Sequence, residues 1–337
     1  NYKAHINLAI FHSLIGNFDI AKEVLNIQWM LLYLPTYFFA IWNSYRNAVD
    51  LNMNYLLAAR EDAPLKPFKI INLEINYLDK RSPLTGLAWS TLMPGTGLLY
   101  NHQIFCSLFI LSGWITNVYF SNFLPAIQYS FMGNFELAKT VIDPQWLLNI
   151  PSIYMFSIYA SYVKTVENNS LYEWEQSKFL KKHYQDKRFT MPALTCKGEQ
   201  NMYIVSTFEH SKYLELAITN LQMKGIAKEK ILAVPLDKKA EDRKLFDTVH
   251  SSDGLSLLDL PFILATYGAL FGGIYGFIWR WGPIIWGLIG FVICFIIGII
   301  IKLILTNKYK DRQKKSKTTD VVVIIECLEE QTDMIRN

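Results

Sequence analysis

Between Leu260 and Ile301 the chain carries a single charged side chain, Arg280. Two apolar runs meet there at Arg280-Trp281-Gly282-Pro283, and each approaches the roughly 20 residues a helix needs to cross a bilayer. Neither run has the polar stripe that a helix on a water-soluble core displays. In lipid every backbone donor and acceptor must be satisfied within the segment. The expectation is therefore a hairpin of two spanning helices, at about 261–279 and 283–304.

Three further apolar runs, at about 27–48, 103–121 and 144–166, read as spanning helices. Basic residues sort between them. One group is Arg60, Lys66, Lys69, Lys80 and Arg81; a second is Lys178, Lys181, Lys182, Lys187 and Arg188. The third is Lys308, Lys310, Arg312, Lys314, Lys315 and Lys317. By the positive-inside rule all three groups face the cytoplasm, and the 122–143 linker and the tip at 280–283 face outward. An aromatic content of 15%, with nine Trp and nineteen Tyr, suits a chain with many membrane–water boundaries. The third basic group adjoins a spanning helix, so anionic lipid headgroups are its expected contact, at roughly 1 kcal/mol per charge, and nucleic acid is set aside.

The N-terminal half repeats at an offset of 117 residues. AIFHSLIGNFDIAKEVLNIQW (Ala9 to Trp29) aligns with AIQYSFMGNFELAKTVIDPQW (Ala126 to Trp146). The second copy carries a front half, Gly86 to Ile115, that the first lacks, and the chain opens on Asn1 in mid-pattern. A truncated N-terminus is the expectation. Within that front half Met93-Pro94-Gly95-Thr96-Gly97 interrupts an apolar helix, because Pro94 lacks a backbone donor and the glycines admit unusual dihedrals. A tight turn between two packed helices is the favoured reading of this break. The sharper one is a pore or ligand lining formed by Pro94, Gly95, Gly97, Asn101 and His102, as at the discontinuous helices of transporters.

Towards the C-terminus, Met202–Phe208 reads as a strand, Tyr213 to Leu221 recurs at helical spacing up to Gly225, and Lys230–Leu236 reads as a second strand. Asp320–Leu328, DVVVIIECL, is a third strand beyond the hairpin, with a helix expected after it. Helix-joined strands are expected as parallel neighbours, with the third docking on them. The fold class expected is an α-helical integral membrane protein with a small cytoplasmic α/β, ferredoxin-like domain split by a transmembrane hairpin. The units are a first membrane repeat with its loop (1–85), a second repeat (86–175), a cytoplasmic linker and βαβ unit (176–258), the hairpin (259–306), and a basic segment with the returning strand and helix (307–337).

Tyr203–Phe208, Gly225, Ile231–Val234 and the hairpin glycines Gly268, Gly272, Gly273, Gly276, Gly287 and Gly290 follow one order: βαβ, glycine-rich hairpin, strand. Over about 200–337 that order resembles the bacterial general-stress and heat-induced membrane-associated proteins. The resemblance implies the inner membrane of a bacterium, a stress-protective role and no catalytic residues. Pro94-Gly95-Thr96-Gly97-Leu98-Leu99-Tyr100 is similar to the turn of a two-helix membrane module. The aromatic tandem repeat resembles membrane proteins of Gram-positive spore formers that have no assigned role, which brings sporulation into view.

The chemical inventory points away from catalysis. Six histidines show no HxxxH or HExxH spacing, and there is no phosphate loop, no nucleophile elbow and no CxxC among the four cysteines. No enzyme activity, cofactor or metal is expected. Gly268, Gly272, Gly273 and Gly276 make a small-residue face that serves either hairpin packing within one protomer or self-association between protomers. Arg46 sits at a helix end, where snorkelling to the headgroups accounts for it. The function expected is a non-enzymatic, homo-oligomeric membrane protein that organises the bilayer and contacts lipid and other membrane proteins. The alternative is a channel or transporter for ions or small solutes through the break.

Overall fold

The computed structural model describes residues 5–58, 68–70, 75–77, 79–185, 189, 201–236, 259–307 and 321–328. The six tail cations from Lys308 to Lys317 and the helix expected after Leu328 lie outside them. The described chain is mostly helical, with one three-stranded sheet and one two-stranded ribbon.

The repeat is built twice over in the same geometry. Helices α1 (Ile6–Leu14) and α2 (Phe18–Val24) form an arch, and α7 (Phe123–Phe131) and α8 (Phe135–Val141) form another, with bounds displaced by the same 117 residues. The turn inside each arch rests on a left-handed glycine, Gly16 at φ 85° and Gly133 at φ 81°. His5 and Asn122 enter at φ 51° and 52°. Ala9 and Ala21 in one copy, Ala126 and Ala138 in the other, are buried where the two legs meet. Beyond the arches the copies diverge. In the first, α3 (Ile27–Ala58) runs on through Pro35. In the second, a short α9 (Pro144–Leu147) ends before α10 (Ile150–His183), which carries Pro151 in its first turn, where its missing donor is harmless.

Between α3 and the second arch lie the ribbon β1 (Phe68–Ile70) and β2 (Ile75–Tyr77), then α4 (Pro83–Leu92), α5 (Thr96–Tyr100) and α6 (Ile104–Phe120). The ribbon falls in a loop that reads only as basic in the sequence. At the C-terminal side, α12 (Asp259–Gly276) and α13 (Gly282–Asn307) form the expected hairpin. A Cβ added at Gly268 would strike the Gly290 carbonyl and Cys294; at Gly272, the Trp286 carbonyl; at Gly276, Pro283. These three glycines of the proposed self-association face are thus occupied by α13 of the same chain. Gly273 points elsewhere, with open space beyond its Cα.

Among the described residues one helix by itself is long and apolar enough to cross a membrane, Gly282–Lys302 within α13; counting the bent pairs α2–α3 and α6–α7 as single spans raises the number to three. The five spans expected from the sequence are not all of that kind. Helix α12 is a shorter apolar helix. Helix α10 buries Ser157, Ser161, Thr165, Asn168 and Asn169 along its length, which dilutes its hydropathy.

The sheet corrects the expectation of adjacent parallel strands. Its order is β3 (Asn201–Phe208), β5 (Val321–Leu328), β4 (Ile231–Pro235), and β5 pairs antiparallel with both neighbours. The strand after the hairpin inserts between the two strands that α11 (Lys212–Met223) joins. Val321, Val323, Ile325 and Cys327 alternate into the core. There they meet Leu214 and Ile218 of α11, and Leu180 and Tyr184 at the end of α10. Helix α10 thus runs through the boundary expected at 175 and belongs to both halves, over roughly 50 Å at 1.5 Å per residue.

A buried charge cluster at the junction

Where α3, α4, α5 and α11 converge, five charged side chains meet. Arg46 and Asp50 lie one turn apart on α3, 3.9 Å from each other. Asp79 and Arg81 come from the segment before α4 and pair at 3.4 Å, and Arg81 also stands 3.7 Å from Asp50. Lys212, the first residue of α11, reaches Asp79 at 3.0 Å and Asp50 at 3.4 Å. Arg46 stacks over the Tyr100 ring at 4.2 Å and Arg81 over the same ring at 5.2 Å. The Arg81 side chain is 5% exposed. Burial lowers its pKa, the charge of Arg46 lowers it further, and Asp79 and Asp50 oppose the shift.

The segment carrying Asp79 and Arg81 is clamped by Asn169 of α10. Arg81 N donates to Asn169 Oδ1 at 2.7 Å, and Asn169 Nδ2 donates to Arg81 O at 2.7 Å. Ser82 N donates to the Tyr100 hydroxyl at 3.1 Å, and Lys80 pairs with Glu173 at 3.1 Å. Arg46 therefore does not snorkel; it is folded into this cluster. His102, at φ 60°, places Nε2 2.6 Å from an Arg81 nitrogen, so that imidazole nitrogen accepts.

The break at Met93–Gly97 is seated against the same helix that carries the clamp. Gly95, at φ 96°, donates to Ser157 Oγ at 2.8 Å, and its carbonyl accepts from Ser107 Oγ at 2.7 Å. Ser161 Oγ donates to Gly86 O at 3.2 Å. Asn101 Nδ2 donates to Ser161 O at 3.1 Å and Thr165 Oγ1 at 2.8 Å. A Cβ at Gly97 would collide with Gly86 O, Ser90 Oγ and Ser161. Pro94, Gly95, Gly97 and Asn101 are thus all buried, Gly95, Gly97 and Asn101 against α10, while His102 turns to the charge cluster. One polar atom in this packing is left over: the Ser90 hydroxyl, buried and without a hydrogen-bond partner.

Further along α10 the polar seam passes into the sheet domain. Gln176 Nε2 donates to Ser211 O at 3.0 Å and Glu215 Oε1 at 3.2 Å, and its Oε1 accepts from His210 Nδ1 at 2.9 Å. Tyr172, between the clamp and Gln176, has its phenol pKa pushed up by burial first, then by Glu215 and Asp79.

The sequence reading missed the cluster because Asp50, Asp79 and Lys212 are spread over 162 residues. It had one available signal: Ser157, Ser161, Thr165 and Asn169 recur every four residues on one helix face. Chemically the arrangement pairs three cations with two carboxylates and holds no activated nucleophile. Among the described residues no group of three or more His, Cys, Asp or Glu side chains is placed to hold a metal ion. No family model matches the chain, and comparison with curated proteins and with solved structures found no match.

Proposed function

We propose that the chain is a multi-pass, non-enzymatic membrane protein of structural role, in which a small ferredoxin-like domain on the cytoplasmic side is held rigidly to a packed bundle in the bilayer. The observation that carries this reading is the agreement of two levels along the helices. At one end Trp29 meets Tyr119, Phe120 stacks on Trp146, and Trp286 takes Trp281 stacked and Trp279 edge-on. At the other end come Arg46 with its cluster and Lys302. From Trp29 to Arg46 is roughly 26 Å and from Trp286 to Lys302 roughly 24 Å at 1.5 Å per residue, close to the ~30 Å hydrocarbon core of a bilayer. Between the levels the helices present large apolar side chains outward, among them Phe105 and Phe109 of α6, Tyr267 and Phe271 of α12, and Ile293, Ile297 and Ile300 of α13.

The small-residue face of α12 is occupied within the hairpin, so bilayer organisation rests on each protomer's shape and its lipid contacts, with any homo-oligomer formed through other surfaces. Anionic headgroups at the sheet end are the contact for the tail cations. The resemblance to stress-induced membrane proteins supports a protective role, exerted through membrane organisation. Reconstitution in lipid, with protease access scored on each side, tests the placement. Cleavage within 201–236 from the face opposite the hairpin tip is the expected result; cleavage of both from one face ends the reading.

A second reading, passage of ions or small solutes at Pro94–Gly97, is favoured by the unpartnered Ser90 hydroxyl beside Gly97. Liposome flux that responds to Pro94→Ala with Gly95→Ala would establish it, and absence of flux under all gradients would retire it.

A further inference from the structure

We infer that the two arches, α1–α2 and α7–α8, are interfacial anchors whose apexes lie in the lipid leaflet at the aromatic end; this rests on the spanning reading proposed above. Each arch projects from that end. The second meets the hairpin tip: a Cβ at Gly282 would lie 3.7 Å from the Phe135 carbonyl and 3.9 Å from Lys139 Cγ. In each arch the alanines and the left-handed glycine fix a closed V, and apolar side chains flank its turn at Asn17 and Asn134.

Equivalent positions of the two copies are exposed and apolar in both. Leu14 is 83% exposed and its counterpart Phe131 75%. Ile15 and Met132 follow, then Ile20 and Leu137, all exposed. Each arch holds one acid–base pair, Lys22 with Asp19 at 4.0 Å and Lys139 with Glu136 at 3.1 Å, and the first also carries Glu23. The arches differ in their protein surroundings. The second packs against α13 and α3, whereas Leu8, Ile10 and Phe11 of the first are exposed as well. Two apexes in different protein environments that keep the same apolar set share a medium, and a single protein partner would not provide one. That medium is the acyl–headgroup boundary, where amphipathic segments settle with an apolar face buried. Continuity supports it: exposed Ile278, Trp279 and Trp281 at the hairpin tip connect the second apex to the apolar belt of α13.

The test uses the full chain in bilayers, with Cys106, Cys196, Cys294 and Cys327 replaced by Ala and single spin labels introduced by Leu14→Cys, Phe131→Cys, Asp19→Cys, Glu136→Cys and Ile297→Cys. Labels at 14 and 131 are expected to be several-fold more accessible to oxygen, relative to a water-soluble nickel chelate, than labels at 19 and 136. Equal accessibility at the four arch positions overturns the inference. So does protection of 14 and 131 from both reagents, which would mean a protein contact. The label at 297 separates the two levels of argument: oxygen access there with water access at 14 and 131 defeats the anchors alone, and water access at 297 defeats the spanning reading itself. Should Leu14→Cys or Phe131→Cys not fold, Ile15→Cys and Met132→Cys carry the same comparison.

Discussion

At the scale of single residues the charge cluster is the most exacting feature. Asp79 faces Lys212, Arg81 and Arg46 at 3.0, 3.4 and 3.9 Å. Removing one member of a buried ion set leaves the others uncompensated, at about 3–5 kcal/mol. Asp79→Asn, nearly isosteric, is expected to destabilise the chain by that order in denaturant titrations of the purified protein. Asp19→Asn, in a fully exposed pair with Lys22, should leave stability essentially unchanged. Equal effects would mean that Asp79 is solvated in the folded protein. Tyr172 supplies a pH dependence. Its folded pKa is raised, so the stability tied to its protonated form is intact below the unfolded phenol pKa of about 10. Above that pH the unfolded chain loses the proton while the folded chain keeps it. Stability therefore falls with rising pH, by at most about 1.4 kcal/mol per pH unit for this one group. Tyr172→Phe should flatten the decline between pH 10 and 12 relative to the parent chain; an unchanged slope would show the phenol to be solvated.

At the scale of elements, the hairpin offers a comparison within one helix turn. Gly272 lies against the Trp286 carbonyl, whereas Gly273 has open space beyond its Cα. Gly272→Ala must push α12 from α13, and overpacking of this kind costs typically about 1–3 kcal/mol. Gly273→Ala should be neutral or slightly stabilising, since alanine is the better helix former by roughly 1 kcal/mol. Unfolding of the two variants side by side decides the matter, and an equal loss would place the glycine contact elsewhere. The hairpin, the duplication behind the arches and all three strands of the sheet were readable in the sequence, because each rests on local periodicity or on self-similarity, whereas the second arch itself read only as a linker over 122–143. The strand order was not. Nothing local in Val321–Leu328 distinguishes a central from an edge strand once a helical hairpin separates it from its partners. The seating of Gly95 and Gly97 on Ser157 and Ser161 was half readable: the turn chemistry lies in one segment, and its acceptors lie about 60 residues away.

At the scale of the whole molecule the question is what joins the bundle to the sheet. Beside the hydrogen bonds of Gln176 to Ser211, Glu215 and His210, two connections of different kind are present among the described residues. One is covalent and apolar: α10 continues out of the bundle and places Leu180 and Tyr184 in the sheet core beside Ala233 and Val323. The other is electrostatic: Lys212 at the start of α11 bonds to Asp50 and Asp79. They should fail differently. Lys212→Met keeps the stem of the side chain and removes its charge, so the cluster loses its contact with the sheet domain while the sheet core stays filled. Hydrogen exchange of α11 amides is then expected to accelerate while β3 and β5 keep their protection, since local opening follows the contacts that hold each unit. Leu180→Ala leaves a cavity at a fully buried site and costs about 2–5 kcal/mol. It should release α11 and all three strands together, while Gly95 and its hydrogen-bonded neighbours remain protected on α10. If Lys212→Met released the strands as well, or Leu180→Ala spared them, sheet and bundle would be joined in some manner other than by a rod through the core and a charged latch at its side.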